Sequence, residues 1–337
     1  MIDEGNGRVR LQAREARALG FDALRGGGFG DEEAHALADH MLDAALCGYE
    51  YSGLPKVLNV VEFRKRRPVK GPLQLRHQTP MSAQYDGNGL NGMYTVKRAA
   101  EDAIARASAA GFAIVGVNNT WMSGRSAHYV EMIARAGLIG IHTVSARHVV
   151  APPGATRATM GTNPIAFGFP TEGDPLLVDV GMSTLMFTDL ALRVRRGEAL
   201  APGLAIDAQG QPTQDPSAAQ RGAVLFFGAH KGFALALAMQ ALGILAHAGD
   251  DPDHASYLVI AFKPDLLMPL DQYRQELAAS LAAVKASPRM PGIDEIRLPS
   301  ERSYAERARN MREGIVIDAE IRDALAALAV KSGGAVG

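Results

Sequence analysis

The stretch Gly161-Thr162-Asn163-Pro164-Ile165-Ala166-Phe167-Gly168-Phe169-Pro170 leaves the backbone little freedom. A glycine opens a turn, and an asparagine before proline is held extended rather than helical. A short apolar strand follows, and a second proline stops it. A small, rigid, amide-rich turn suits the docking of a polar ring, although alone it also reads as an ordinary lead-in to a strand. Other rigid segments accompany it: Pro152-Pro153-Gly154 ahead, and Asp179-Val180-Gly181-Met182-Ser183 behind. A loop rich in turn residues from Gly203 to Pro216 comes next, then Lys231-Gly232-Phe233.

The chain has 337 residues, 47% of them hydrophobic, which on size allows a large core and one to three domains. A net charge of -1 points to neither a nucleic acid nor a membrane as partner. The basic run Arg64-Lys65-Arg66-Arg67 closes a predicted helix, where cations suit the dipole, and reads as a solvated helix end. The single cysteine, Cys47, lies in an apolar helical run; it excludes an internal disulfide framework and fits a reducing cytoplasm. Early acids, Asp3 and Glu4, do not read as a signal peptide. The most apolar run, Gly232 to Ala248, carries Gln240 and His247, falls short of a membrane span and reads as a buried helix.

Apolar spacing and breakers predict helices over Arg8–Leu24, Glu32–Cys47 capped by Asp31, and Pro55–Arg66. A strand over Ser82–Asp86 precedes a helix over Tyr94–Ala109, then Phe112–Val117 (strand), Gly124–Ala136 (helix) and Leu138–Val144 (strand). Strands around Phe167, Leu176–Val178 and Tyr257–Phe262 follow, with helices over Met182–Arg196 and Lys231–His247. Amphipathic helices over Gln272–Lys285, Ser303–Arg312 and Asp318–Ala329 close the chain. Helices flank a mixed block, so the expected class is α/β. The expected division is a mainly helical part built from residues 1–75 and 265–337 around an α/β region at 76–264. Gly87-Asn88-Gly89-Leu90-Asn91-Gly92 matches the dinucleotide fingerprint literally. Met81 to Tyr85 is too polar for a central parallel strand, however, and no acid ends a second strand about 20 residues on. It reads as a turn opening a helix.

In order and spacing, the rigid segments of the middle third resemble the malate/L-lactate dehydrogenase family. This is the lineage of ureidoglycolate dehydrogenase, diketogulonate reductase and piperideine-2-carboxylate reductase, not the Rossmann-type lactate dehydrogenases. The resemblance runs from about Arg10 to Val330. It implies a non-Rossmann NAD- or NADP-binding domain with a mixed, mostly antiparallel sheet, a small-molecule substrate and a homodimer. It also places cofactor contacts on Asp179, Val180 and Gly181, and on Lys231 and Gly232, while the rigid turn at Thr162, Asn163 and Pro164 is the candidate dock for the cofactor's polar ring. The residues agree. Lys231-Gly232 starts a helix, where free N–H groups and the dipole favour an anion, and His230 stands beside it. Asp179, after a strand, is placed to accept from ribose hydroxyls.

The catalytic positions depart from the family. Its histidine two residues before the glycine matching Gly124 is here Met122, and a thioether has no titratable proton. The histidine of its Asp-Ser-His-Gly pattern is Ser52 in Glu50-Tyr51-Ser52-Gly53, and its carboxylate-binding arginine is Lys56. Lysine keeps the charge and loses the bidentate fork. Two replacements suggest themselves. Tyr51, like Tyr49, flanks the altered turn, and an ammonium at Lys56 would lower the pKa of a nearby phenol. His128 lies one helical turn past Gly124. Both also have packing or surface readings. His35, His40, His77, His142, His148, His247 and His254 show no clustering in the sequence, and no pair has metal-ligand spacing beside a carboxylate, so no metal is expected. Thr188-Asp189 stands where the family often has Gly-Lys, and the loop Ala248–Ser256 is shorter than the family's. Arg147 and Arg157 are candidates to meet a 2′-phosphate. The expected activity is hydride transfer between NAD(P)H and a small carbonyl, 2-oxo acid or cyclic imine. The alternative is a repurposed scaffold that binds a ligand or catalyses a non-redox proton transfer.

Overall fold

The computed structural model describes residues 2–5, 7–247 and 255–330, so most of the loop 248–256 lies outside the described residues. The chain runs β1 (Ile2–Gly5), β2 (Arg8–Leu11), α1 (Ala13–Gly26), α2 (Asp31–Leu46), α3 (Lys56–Arg66), β3 (Gln74–Thr79), β4 (Ser82–Asp86), α4 (Gly92–Ala110), β5 (Phe112–Thr120), α5 (Ser126–Arg135), β6 (Ile139–Ser145), β7 (Ile165–Phe169) and β8 (Leu176–Val180). It continues through α6 (Phe187–Arg196), β9 (Ala205–Ile206), β10 (Pro212–Thr213), α7 (Pro216–Arg221), β11 (Ala223–Val224), α8 (His230–Leu245), β12 (Ala255–Phe262), α9 (Leu270–Lys285), α10 (Glu301–Glu313), β13 (Ile315–Asp318) and α11 (Ala319–Ala329).

The main sheet has seven strands in the order β3-β4-β5-β12-β6-β7-β8. Only β4 and β5 run parallel; every other neighbouring pair is antiparallel. The fold is therefore α/β, as the element order implied, with the mixed, mostly antiparallel sheet that the family resemblance implied. The rejected fingerprint is indeed a helix-opening turn: Asn91 caps α4, its side chain accepting from Met93 N at 2.9 Å.

Among the described residues, three large apolar clusters and two small ones make up the core. Leu24, Leu37, Met41, Val57, Val60, Ile317 and Leu325 pack the two chain ends together. Val96, Ala103, Val115, Tyr129, Ile133 and Val259 fill the space between the sheet and α4 and α5. Val150, Met160, Met182, Leu190, Phe226 and Ala236 form the third, around the start of α8.

Four expectations change. Arg8–Leu11 is a strand, because Val9 and Leu11 alternate inward and pair with β13 near the other chain end; the helix begins at Ala13. The helix expected from Met182 starts only at Phe187, since Met182 and Thr184 are spent on backbone bonds to Thr162 and Leu225. Helix α8 is not buried: only Gly232, Ala236, Met239 and Gly243 face inward, and Leu235, Leu237, Ile244 and Leu245 stand 47–65% exposed. An all-round apolar sequence reveals no direction, and the small residues on one stripe mark the side that meets the sheet. Arg64, finally, is not part of a solvated end. Its guanidinium lies 2.6 Å from Glu33 and 4.0 Å over the Phe29 ring, while Arg66 pairs with Glu62 at the surface.

Candidate active site

The cofactor-side segments are far apart in sequence and stitched together by backbone. Thr162 O accepts from Met182 N at 2.8 Å, and Met182 O accepts from Phe227 N at 3.1 Å. Gly232 N donates to Phe227 O at 3.1 Å, and a Cβ on Gly232 would stand 3.0 Å from Met182 O. Only a glycine allows that approach. Val180 and Gly181 are exposed, and a Cβ at Gly181 would meet nothing within 4 Å, so a ligand can reach this backbone. His230 and Lys231 are exposed at the start of α8, where the Lys231 and Gly232 N–H groups donate to Gly228 O and Phe227 O at 3.1 Å. Among the described residues nothing accepts from the Lys231 ammonium. Sixteen residues of aligned peptide dipole end here on a lysine, which fits the phosphates of a nicotinamide dinucleotide.

Two of the candidates here serve the fold instead of standing open. Asn163 is fully buried in a left-handed conformation, φ 36°. Its Oδ1 accepts from Ala146 N at 3.0 Å, and its Nδ2 donates to Ala236 O at 3.1 Å and Gln240 Oε1 at 3.0 Å. Asn163 thus locks the turn onto α8, and Pro164 O accepts from Val144 N at 3.1 Å. Asp179 Oδ2 accepts from Ala127 N at 2.8 Å, capping the N-terminus of α5 from a neighbouring strand. The surrounding protein pushes this carboxyl above the usual range, the helix N–H groups and Arg125 pulling the other way, and the residue still meets solvent. It can accept from a ribose hydroxyl with what the helix leaves unused.

The catalytic-side candidates divide. Met122, at φ 52°, is half-buried and packs against the helical core. Ser52 is half-buried, and no described residue bonds its hydroxyl. Tyr51 does not pair with Lys56: its hydroxyl accepts from Arg196 Nη2 at 3.3 Å, and that guanidinium lies 5.7 Å over its ring. Tyr49 bonds Ser303 Oγ at 3.2 Å. Lys56, at the start of α3, is partly buried with no anionic partner among the described residues, and burial lowers its ammonium's pKa. It is a cation left open for an anionic ligand.

His128 has the most company. Its Nδ1 lies 3.4 Å from Asp43 Oδ2, and its ring is 4.6 Å from that of His40. Asp43 Oδ2 also accepts from Arg125 Nη1 at 2.7 Å, and Oδ1 lies 2.8 Å from Arg307 Nη2. Burial alone would raise the Asp43 carboxyl; the bond from His128 and the charges of Arg125 and Arg307 instead hold it well below the usual range. Arg307 also grips Glu131 with two bonds of 2.7 Å. His40 is buried, and its Nε2 accepts from Arg125 N at 2.8 Å. Burial, then His128, hold His40 neutral. Gly124, at φ 72°, is required here, since a Cβ would overlap His40 Nε2. From His40 the rings continue through Tyr129 and His142 to Tyr257.

The histidines are therefore clustered, against the sequence reading. His40-x-x-Asp43 on α2 and Arg125-x-x-His128-x-x-Glu131 on α5 each put polar groups on one helix face, which was the available signal. Without the docking of α2 on α5 that signal has no partner. Among the described residues no group of three or more His, Cys, Asp or Glu is arranged to hold a metal. No helix among them is long and apolar enough to cross a membrane.

A mixed, mostly antiparallel sheet with one parallel pair sets this chain apart from the doubly wound parallel fold. The sequence profile of the malate/L-lactate dehydrogenase family matches residues 11–326, and the chain belongs to that family. It is 31% identical over 329 residues to the Δ1-pyrroline-2-carboxylate reductase of Pseudomonas fluorescens, covering 92% of this chain and 95% of the relative. It is 27% identical over 313 residues to the L-sulfolactate dehydrogenase of Methanothermobacter thermautotrophicus, covering 89% and 90%. The crystal structure of Δ1-piperideine-2-carboxylate reductase from Pseudomonas syringae pvar. tomato superposes with a TM-score of 0.84 at 27% identity, over 95% and 99% of the two chains. The chain is an oxidoreductase of this pyridine-nucleotide-dependent family.

Proposed function

We propose that the chain transfers hydride between NADH or NADPH and a small 2-oxo acid or cyclic imine carboxylate, with His128 as the proton donor. One observation carries this reading: His128 and the Asp179-capped start of α5 lie together, next to the Met122–Gly124 turn where the family resemblance leads one to expect a histidine. If His128 Nδ1–H faces Asp43, Nε2 is left to exchange a proton with the substrate's oxygen or nitrogen. Lys56 meets the substrate carboxylate. Lys231 and the α8 N-terminus hold the cofactor phosphates, the backbone at Gly181 lets the dinucleotide lie close, and Asp179 takes a ribose hydroxyl. The nicotinamide, when bound, supplies or accepts the hydride. Relatives that act on pyrroline-2-carboxylate and on sulfolactate support a substrate with a carboxylate beside the reacting carbon. A cyclic iminium already accepts hydride readily, so it suits a site without the family's histidines.

The reacting groups then sit between the chain-end part, residues 1–75 with 265–337, and the α/β region at 76–264. The exposed apolar face of α8 supports a homodimer, and the lone buried Cys47 fits a cytoplasmic setting. The test is NADH and NADPH binding by fluorescence, followed by turnover of 2-oxo acids and cyclic imines by wild type, His128→Gln and Tyr51→Phe. Loss with His128→Gln alone supports the assignment; loss with Tyr51→Phe alone moves the donor to Tyr51. The repurposed scaffold rests on Ser52 and Met122, and a folded protein that binds neither nucleotide would select it.

A further inference from the structure

The cluster around Asp43 holds more charge than a packing contact needs. Three elements meet there: α2 supplies His40 and Asp43, α5 supplies His128 and Glu131 with Arg125 just ahead of its first residue, and α10 supplies Arg307. Two come from the chain ends and one from its middle, so these groups meet only when the helical part docks on α5. We propose that Asp43 and Arg307 are positioning residues: Asp43 holds His128 in the tautomer with the proton on Nδ1, and Arg307 ties that hold to the docking of α2 and α10 on α5.

The geometry gives each group a distinct task. Asp43 is shared, its Oδ2 by Arg125 at 2.7 Å and His128 at 3.4 Å, its Oδ1 by Arg307 at 2.8 Å. Arg307 is itself fixed by Glu131, one turn beyond His128 on α5. Glu131 is further held by Arg135 at 2.7 Å. The carboxylate facing the imidazole is thus fixed from both sides, and rotation of Asp43 would break two charged bonds. His40 closes the other face of the His128 ring. Because His40 Nε2 accepts from Arg125 N, its proton sits on Nδ1, and it stays neutral beside His128. Cys47 Sγ, 3.9 Å from Asp43 Oδ1, is kept as a thiol by burial. Tyr129 meets the His128 ring edge-on at 5.6 Å and donates its hydroxyl to Ser123 O. Asp43 is therefore the only anion in direct contact with His128 among the described residues. At 3.4 Å the pair is long for a hydrogen bond.

This inference rests on His128 being the proton donor, and its test separates the two. His128→Gln removes the donor. Asp43→Asn keeps the shape, removes the anion and leaves two guanidinium groups beside the ring. Turnover should fall at least ~10-fold with KM and cofactor affinity nearly unchanged, and the pH above which reduction declines should move down by about one unit. Arg307→Gln should move it the opposite way, because one cation is lost, and Arg307→Lys should return it toward wild type. A purely structural role would lower melting temperature and turnover without opposite displacements of the pH profile, and that result would overturn the proposal. Should Asp43→Asn fail to fold, ¹⁵N shifts of the His128 ring in the wild-type protein decide: Nδ1–H is expected, and Nε2–H overturns it. If His128→Gln keeps full turnover, the donor assignment fails instead, whatever the tautomer.

Discussion

The candidate cofactor segments and the cluster around His128 are built in opposite ways. On the cofactor side, short rigid segments fix themselves: a glycine, a proline, a helix start. Backbone bonds such as Met182 N to Thr162 O then join them. On the proton side, nothing local fixes the geometry. His128 depends on a carboxylate from α2, a guanidinium from α10 and a glycine at 124 that leaves room for His40. Backbone-made sites keep their motif when side chains drift. Side-chain-made sites can lose their residues at one position and regain the chemistry from a neighbouring element. Ser52 and Met122 stand where the family resemblance leads one to expect histidines, and the His40–Asp43–His128 group packs beside Gly124.

Substitutions can break this contrast, and the largest effect belongs to Gly124. Gly124→Ala forces a side chain into the left-handed region and onto His40. It should cost roughly 2–4 kcal/mol, read as a lowered melting temperature, and should abolish turnover. Lys56→Ala removes the open cation that would meet a carboxylate. A charged hydrogen bond is worth about 1.5–3 kcal/mol, so KM should rise ~10–100-fold while cofactor affinity holds; an unchanged KM would take Lys56 out of the pocket.

Acid titration sharpens the same contrast. His40 and His142 are held neutral by burial, His142 down to about 4, while an unfolded histidine protonates near 6.5. The unfolded chain then binds more protons, so stability should fall as pH drops from about 6.5 toward 4, by up to ~1.4 kcal/mol per unit for each group. Asp43 has linkage of the same sign in a lower window, its contribution being lost only below about pH 4, the unfolded carboxylate value. Urea melts between pH 4 and 7 would show the first effect, and a flat profile would contradict it. On the cofactor side the effect is smaller. Lys231→Ala removes one exposed charge, and nucleotide affinity should weaken about 5–10-fold, since the helix start remains. Calorimetric titration reads it, and an unchanged dissociation constant removes Lys231 from the site.

The same division explains what could be read before folding. Gly161–Pro164, Asp179–Gly181 and Lys231-Gly232 carry their geometry in residue type, so the α/β class and the mostly antiparallel sheet were legible through motif and resemblance. That Asn163 would turn inward to Gln240 and Asp179 would cap α5 was not, because both depend on partners 77 and 52 residues away. Tyr51 beside Lys56 was a reasonable pairing in sequence, and Arg196 claims the hydroxyl instead. His40 looked isolated because its partners, Arg125 and His128, arrive only when α2 and α5 pack.

The account turns on where the proton comes from. The most direct measurement is single-turnover reduction of a cyclic imine carboxylate and of a 2-oxo acid by His128→Gln and wild type, at saturating NADH or NADPH. The account predicts a loss of ~10²–10⁴-fold for the 2-oxo acid, a smaller one for the imine, and unchanged nucleotide binding. Equal rates in the two proteins, with both folded and nucleotide-bound, would contradict it and return the donor to the turn around Tyr51.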